Sequence, residues 1–126
     1  MLACTDSFEL TGIEAGLVTV EADISRGLPS FELVGLPDAA VKESRDRVRA
    51  AMKNSGMEFP TARVIVNLAP ADSKKTGSVY DLAILMAILL ASDGLDASTK
   101  GVGFLGELSL GGELRPIRGV LPMVLG

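Results

Sequence analysis

A run of twelve residues, Asp81 to Ser92 (DLAILMAILLAS), constrains this chain more than any other stretch: only its two end residues are polar. It is long enough for a helix and too short to span a bilayer, so it reads as a helix buried in a protein core. Directly upstream, Val64, Ile65, Val66 and Leu68 form a short, largely β-branched apolar run, as expected of a buried strand. Between the two lies a polar loop, Ala69 to Ser78, holding Pro70, Lys74, Lys75 and Gly77. A loop between a strand and a buried helix is a common place for chemistry.

The rest of the chain supplies layers for that helix to lie against. Phe8–Leu10 is a short strand candidate, followed by a turn at Gly12. Residues 17–24 alternate, with Leu17, Thr19, Glu21 and Asp23 on one side and Val18, Val20, Ala22 and Ile24 on the other. That period of two predicts a half-buried strand. After a turn at Arg26–Ser30, Phe31, Leu33 and Val34 predict a third strand, an antiparallel neighbour of the second. Pro37 suits a first helical position, with Asp38 as a first-turn acid, and Val41, Ser44, Val48, Ala51 and Met52 keep helical spacing as a buried stripe. On the other face Lys42 with Asp46, and Glu43 with Arg47, are spaced to pair, whereas Arg45, Arg49 and Lys53 make a basic ridge. Gly56 is the expected left-handed cap. A strand over Arg63–Leu68 precedes the loop and buried helix. Val102–Leu110, a Gly111-Gly112 turn and Glu113–Arg115 predict a hairpin in which Glu107 faces Arg115. The predicted order is β-β-β-α-β-α-β-β-α, an α/β sandwich with a mixed sheet, as one domain over residues 1–126. The apolar helix begun by GVLPMVLG after Gly119 stops without a polar tail, which reads as a piece cut from a longer protein.

Composition removes several chemistries. The chain has 126 residues, no His and one Cys, Cys4, so a Ser-His-Asp triad and an intrachain disulfide are impossible, and transition-metal sites lack their usual ligands. A single cysteine fits a reducing cytosol. Nothing at the N-terminus resembles a signal peptide, and no membrane partner is expected. A net charge of −4 argues against general phosphate binding and leaves room for a local basic face. A mean hydropathy of +0.38 is high for a soluble surface, and part of the apolar excess is expected to pack against another domain or subunit.

Two long motifs carry a family likeness. One is GLPDAAVKESRDRVRAAMKNSGMEFP followed by VNLAPADSKKTGSVYDLAI; the other is FLGELSLGGELRPIRGVLP. Together they resemble the N-terminal domain of the magnesium-chelatase-like AAA+ ATPases of the ComM/YifB group, over nearly the whole chain. The resemblance implies a fold like domain 2 of ribosomal protein S5, shared with the protease domain of Lon. It also implies a parent that forms hexameric rings, with ATP and Mg2+ bound by a separate ATPase domain downstream. In the ComM branch the parent would be a helicase acting on branched DNA. Partners of the present domain would be its own AAA+ domain, neighbouring subunits and DNA.

The kinship with Lon permits a sharp test. In Lon-type proteases a serine in a Lys-Asp-Gly-Pro-Ser-Ala-Gly loop and a lysine after Pro-Ile-Gly-Gly-Leu form the catalytic dyad. Aligned on Lys75–Asp81, the serine position falls on Val79; aligned on Pro116–Leu121, the lysine position falls on Leu121. Neither side chain can attack or exchange a proton. A shift by one residue would offer Ser78 as nucleophile, still without an amine at Leu121. The implied role is a non-catalytic accessory domain with no cofactor of its own. Arg45, Arg49, Lys53, Lys74 and Lys75 are the candidate contacts to nucleic acid or to a neighbouring subunit. The Lys74–Ser78 loop is not a Walker A motif, and its plainer reading is a solvated loop. Asp81 is expected to satisfy the first amides of the buried helix. A residual hydrolase and a stand-alone nucleic-acid-binding module remain as alternatives.

Overall fold

The computed structural model describes residues 2–11, 14–71, 75, 77–93, 104 and 106–115. Strands β1 (Leu2–Thr11) and β2 (Glu14–Ser25) form a long antiparallel hairpin. β3 (Ser30–Val34) leads through two consecutive helices, α1 (Ala39–Lys42) and α2 (Ser44–Asn54), into β4 (Arg63–Ala69). Helix α3 (Asp81–Asp93) follows, and a small hairpin of β5 (Glu107–Leu108) and β6 (Leu114–Arg115) closes the described chain. The main sheet has the order β1-β2-β4-β3. It is mixed: β4 runs antiparallel to β2 and parallel to β3. The buried helix is present, the first strand starts earlier than expected, at Leu2, the expected first helix is divided in two at Glu43, and of the expected Val102–Leu110 strand the described part is Glu107–Leu108. The last predicted helix, after Gly119, lies outside the described residues.

The third strand is corrected. β3 does not pair with β2, because β4 inserts between them. The physical reason is the intervening helix. A strand–helix–strand unit brings its two strands together in parallel, and that pair then occupies the edge of β2 that a hairpin would have used. The helix start also differs. Asp38 is the cap and not a first-turn residue: its Oδ1 accepts from the Val41 amide at 2.7 Å, and Pro37 stands one position outside. At the other end the expected cap is found. Gly56 has φ +80°, its amide reaches the Lys53 carbonyl at 3.2 Å, and the Met57 amide reaches the Met52 carbonyl at 2.8 Å, which is a Schellman closure.

One face of the sheet meets the helices. Val18, Val20, Ala22, Val64, Val66 and Leu68 have no exposed surface, and α3 packs across β1 and β2 above them. The expected stripe of Val41, Ser44, Val48, Ala51 and Met52 is buried throughout. α3 buries most of its length, consistent with its nearly uniform apolar sequence. The turn before α1 is bound to the loop before α3. Lys75 donates its amide to the Leu36 carbonyl at 2.9 Å, and its carbonyl accepts from the Asp38 amide at 2.9 Å. Gly35 makes this approach possible. It sits at φ +102°, and a Cβ there would lie 2.2 Å from the Leu68 carbonyl oxygen.

Candidate functional site

Two groups of polar side chains stand out, one inside the domain and one on its surface. The inner group is centred on Asp81, which is fully buried at the start of α3. Its role differs from the expected helix cap. One carboxylate oxygen accepts from the Ser44 hydroxyl and, at 3.1 Å, from Arg47 Nη2. The other accepts from Arg47 Nε at 2.6 Å and from the Leu108 amide at 3.0 Å. Arg47 also donates to the Ala40 carbonyl at 2.9 Å and meets Glu43 at 3.4 Å, the helical pair expected from the sequence. This cluster therefore ties α1, α2, α3 and β5 to one carboxylate. The hydrogen bond to Asp81 raises the Arg47 pKa above its ordinary value, against burial acting the other way. Every polar contact of the cluster is internal, so it holds elements together. Sequence reasoning missed it because Ser44 and Asp81 are 37 residues apart. The available signal was a serine within an otherwise apolar stripe.

The outer group is the ridge of α2. Arg45, Arg49 and Lys53 are all exposed, and they border different recesses. Arg45 lines a recess of about 250 Å³ with Lys42 and the end of β3 (Glu32, Leu33 and Val34). Arg49 and Lys53 flank an open cleft of about 820 Å³ whose floor is the segment Gly56–Thr61, with Ser92 opposite. The Arg49 guanidinium stands 5.1 Å from the centre of the Phe59 ring and 5.8 Å from that of Phe31. The two rings are themselves 5.0 Å apart. Stacking occupies the flat faces of a guanidinium and leaves its in-plane N–H groups available.

The remaining candidates fall elsewhere. Lys75 is fully buried and its Nζ donates to the Pro70 carbonyl, so it does not join the surface ridge, and its part of the loop is not solvated. Lys74 lies outside the described residues. Val79, aligned with the Lon nucleophile, is 6% exposed and belongs to the hydrophobic core. Ser78 is partly exposed just before it. Leu121 lies outside the described residues. Glu107 and Arg115 face each other across β5 and β6 as expected. Their connection is longer than a two-residue turn, since Ser109 closes on Glu113 at 2.8 Å.

A sheet face backed by helices, a buried ionic cluster joining two long motifs and a basic helix define an α/β domain of mixed-sheet type. The family described as subunit ChlI of Mg-chelatase matches residues 20–126, and the chain belongs to this magnesium-chelatase-like family in its ComM/YifB group. It is 50% identical over 125 residues to the competence protein ComM of Haemophilus influenzae, a match covering 98% of this chain and 25% of that protein. It is 47% identical over 121 residues to the protein YifB of Salmonella typhimurium, covering 95% and 24%. It is 51% identical over 120 residues to an uncharacterized protein of Mycobacterium tuberculosis, covering 94% and 24%. The chain thus spans about a quarter of the length of the curated relatives it matches. Among the described residues no helix is long and apolar enough to cross a membrane.

Proposed function

We propose that this chain is a non-catalytic, Lon-like domain, of the ribosomal S5 domain 2 type, within a cytoplasmic AAA+ ATPase. The parent's downstream domain would bind ATP and Mg2+, and the present domain would organise the ring and help to guide DNA. The observation that carries this reading is the burial of Val79. The position aligned with a nucleophile holds an aliphatic side chain that is 6% exposed and packed among core residues, and it has no group able to attack. The buried Asp81 cluster supports a scaffold role, because its polar groups are spent on internal contacts.

Incubation with a fluorophosphonate probe and with unfolded casein tests the reading. No labelling and no cleavage are expected, for the wild-type chain and for Ser78→Ala alike. Labelling lost in Ser78→Ala would establish a hydrolase and overturn the proposal. For the DNA-guiding part, binding to branched DNA at low salt is expected to weaken in Arg45→Ala/Lys53→Ala and to fall steeply as salt rises. Absence of any shift at low salt would remove DNA from the domain's role.

A further inference from the structure

Among the described residues the helices lie on one face of the sheet and none lies on the other. Directly paired residues share a face, so this second face can be read in rows from the strand register. One row is Leu2, Asp23, Ile65 and Glu32; the next is Cys4, Glu21, Asn67 and Val34; the third is Asp6, Thr19 and Ala69. Each of these three rows holds at least one acid. Arg63, beside Ser25 and Ser30 at one end, is the one base on these rows and the row next to them among the described residues. Asp6, Glu21 and Glu32 have no ion-pair partner among the described residues; Glu21 accepts only from Asn67, at 2.8 Å. The field of these acids is felt within the face: Glu21 and Asp6, after burial, push the Cys4 thiol pKa upward. Large aliphatic side chains lie among them, with Leu2 60%, Leu17 56% and Val34 42% exposed. An acidic surface studded with aliphatic groups repels nucleic acid phosphates and suits a basic protein surface.

The same molecule carries such a surface. On α1 and α2 the exposed Lys42, Arg45, Arg49 and Lys53 outnumber Glu43 and Asp46, and Arg47 is already committed to Asp81. We propose that the acidic sheet face of one copy, around Asp6, Glu21 and Glu32, docks on the α2 face of a second copy, around Arg45, Arg49 and Lys53. Because the two surfaces differ and lie on separate sides of the domain, the contact is head to tail, the kind that closes into rings. The inference deepens the ring-organising role proposed above and rests on it; a ridge engaged in this contact is not available to DNA, so loss of self-association and loss of DNA binding on Arg45 and Lys53 substitution are separate readouts.

Sedimentation of the chain at about 20 mM and about 500 mM salt, conditions whose screening lengths differ roughly fivefold, provides the test. Self-association is expected at low salt and to weaken about tenfold or more at high salt. Asp6→Lys/Glu21→Lys and Arg45→Glu/Lys53→Glu should each abolish it. Combining all four substitutions in one chain, or mixing the two doubly substituted chains, should restore it. Arg49 is left in place because it is stacked on two rings. If a reversal unfolds the chain, D6N/E21Q and R45Q/K53Q give the same readout as a reduced salt dependence. Maleimide labelling of Cys4, beside Glu21 on the sheet face, should slow on association. Salt-independent association, no association at low salt, or no restoration in the combined chain would overturn the contact. In a full-length relative, a parent that stays monomeric with ATP would sink the ring role and this contact together. A ring indifferent to the four substitutions, or one whose sheet face is covered by its own downstream region, would sink this contact alone.

Discussion

Asp81 shows how one residue can fix the positions of several elements. Its two oxygens take four hydrogen bonds, from Ser44, twice from Arg47 and from the Leu108 amide, with no exposed surface. A buried pair of this kind is costly to break, because the surviving partner is left charged without compensation. Asp81→Asn is therefore expected to lower the unfolding free energy by about 3 kcal/mol in urea denaturation. Asp81→Leu combined with Arg47→Met should recover a large part of that loss; equal losses in the single and double variants would mean that packing, not charge, dominates. The raised Arg47 pKa gives stability that is present below the usual arginine range and lost only as pH climbs through the folded value, so the arginine half of the pair persists at all working pH values. Cys4 titrates in a more accessible range. Its thiol is raised above the ordinary 9.0 by burial and then by Glu21 and Asp6, so the protonated form is favoured in the fold. Alkylation by iodoacetamide should reach half of its plateau rate at a pH above 9.0, and Glu21→Gln should move that midpoint down. A midpoint at or below 9.0 would mean that the two carboxylates do not act on the thiol.

At the scale of elements, two glycines separate strain of conformation from strain of contact. Gly56 closes α2 at φ +80° with nothing within 4 Å of the Cβ it lacks. Gly56→Ala should cost only the left-handed backbone term, about 1 kcal/mol. Gly35 adds to its φ of +102° a clash with the backbone of Leu68. Gly35→Ala should therefore be several-fold more damaging, by thermal or chemical denaturation, and similar losses at the two sites would contradict this reading. The same elements show what was legible beforehand. The alternation in β2, the stripe on α1 and α2, the Gly56 cap and the burial of α3 depend on near neighbours in the chain, so periodicity and capping rules expose them. The pairing of β3 with β4 depends on a crossover, and the Asp81 cluster on residues 37 apart, so local patterns carry little trace of either. The basic ridge was legible as spacing. The stacking of Arg49 on Phe31 and Phe59 was not, because those rings come from two separate segments. Lys75 was misplaced for a similar reason. Its burial follows from the bridge to Leu36 and Asp38, which the polar composition of the loop conceals.

At the scale of the molecule, stability should be concentrated where the sheet is covered on both edges. β4 is bonded to β2 on one side and β3 on the other, and its Val64, Val66 and Leu68 are fully buried. Among the described strands β1 lies at the end of the sheet, and its outer side takes one backbone bond, the Phe104 amide donating to the Asp6 carbonyl at 2.8 Å. In an antiparallel ladder alternate amides of an edge strand point away from the partner. Those amides gain protection only from whatever covers the edge, whereas β4 lies between two strands over residues 63–67. Amide exchange should therefore be slowest in β4 and in the stretch of β2 that pairs with it, with opening energies near that of global unfolding. The outward amides of β1 should exchange at least about a hundredfold faster. The seam between the turn at Leu36–Asp38 and Lys75 is held by two backbone bonds, so it should open at an intermediate energy. Asp81→Asn should lower the protection of β4 and of α3 together, because its carboxylate joins the helices that cap the sheet. If α3 lost protection while β4 kept its own, the helix layer and the sheet would be separate cooperative units. A domain divided in that way could not transmit force between the sheet face and α2 as one rigid block, and a ring built through those two surfaces requires that it can.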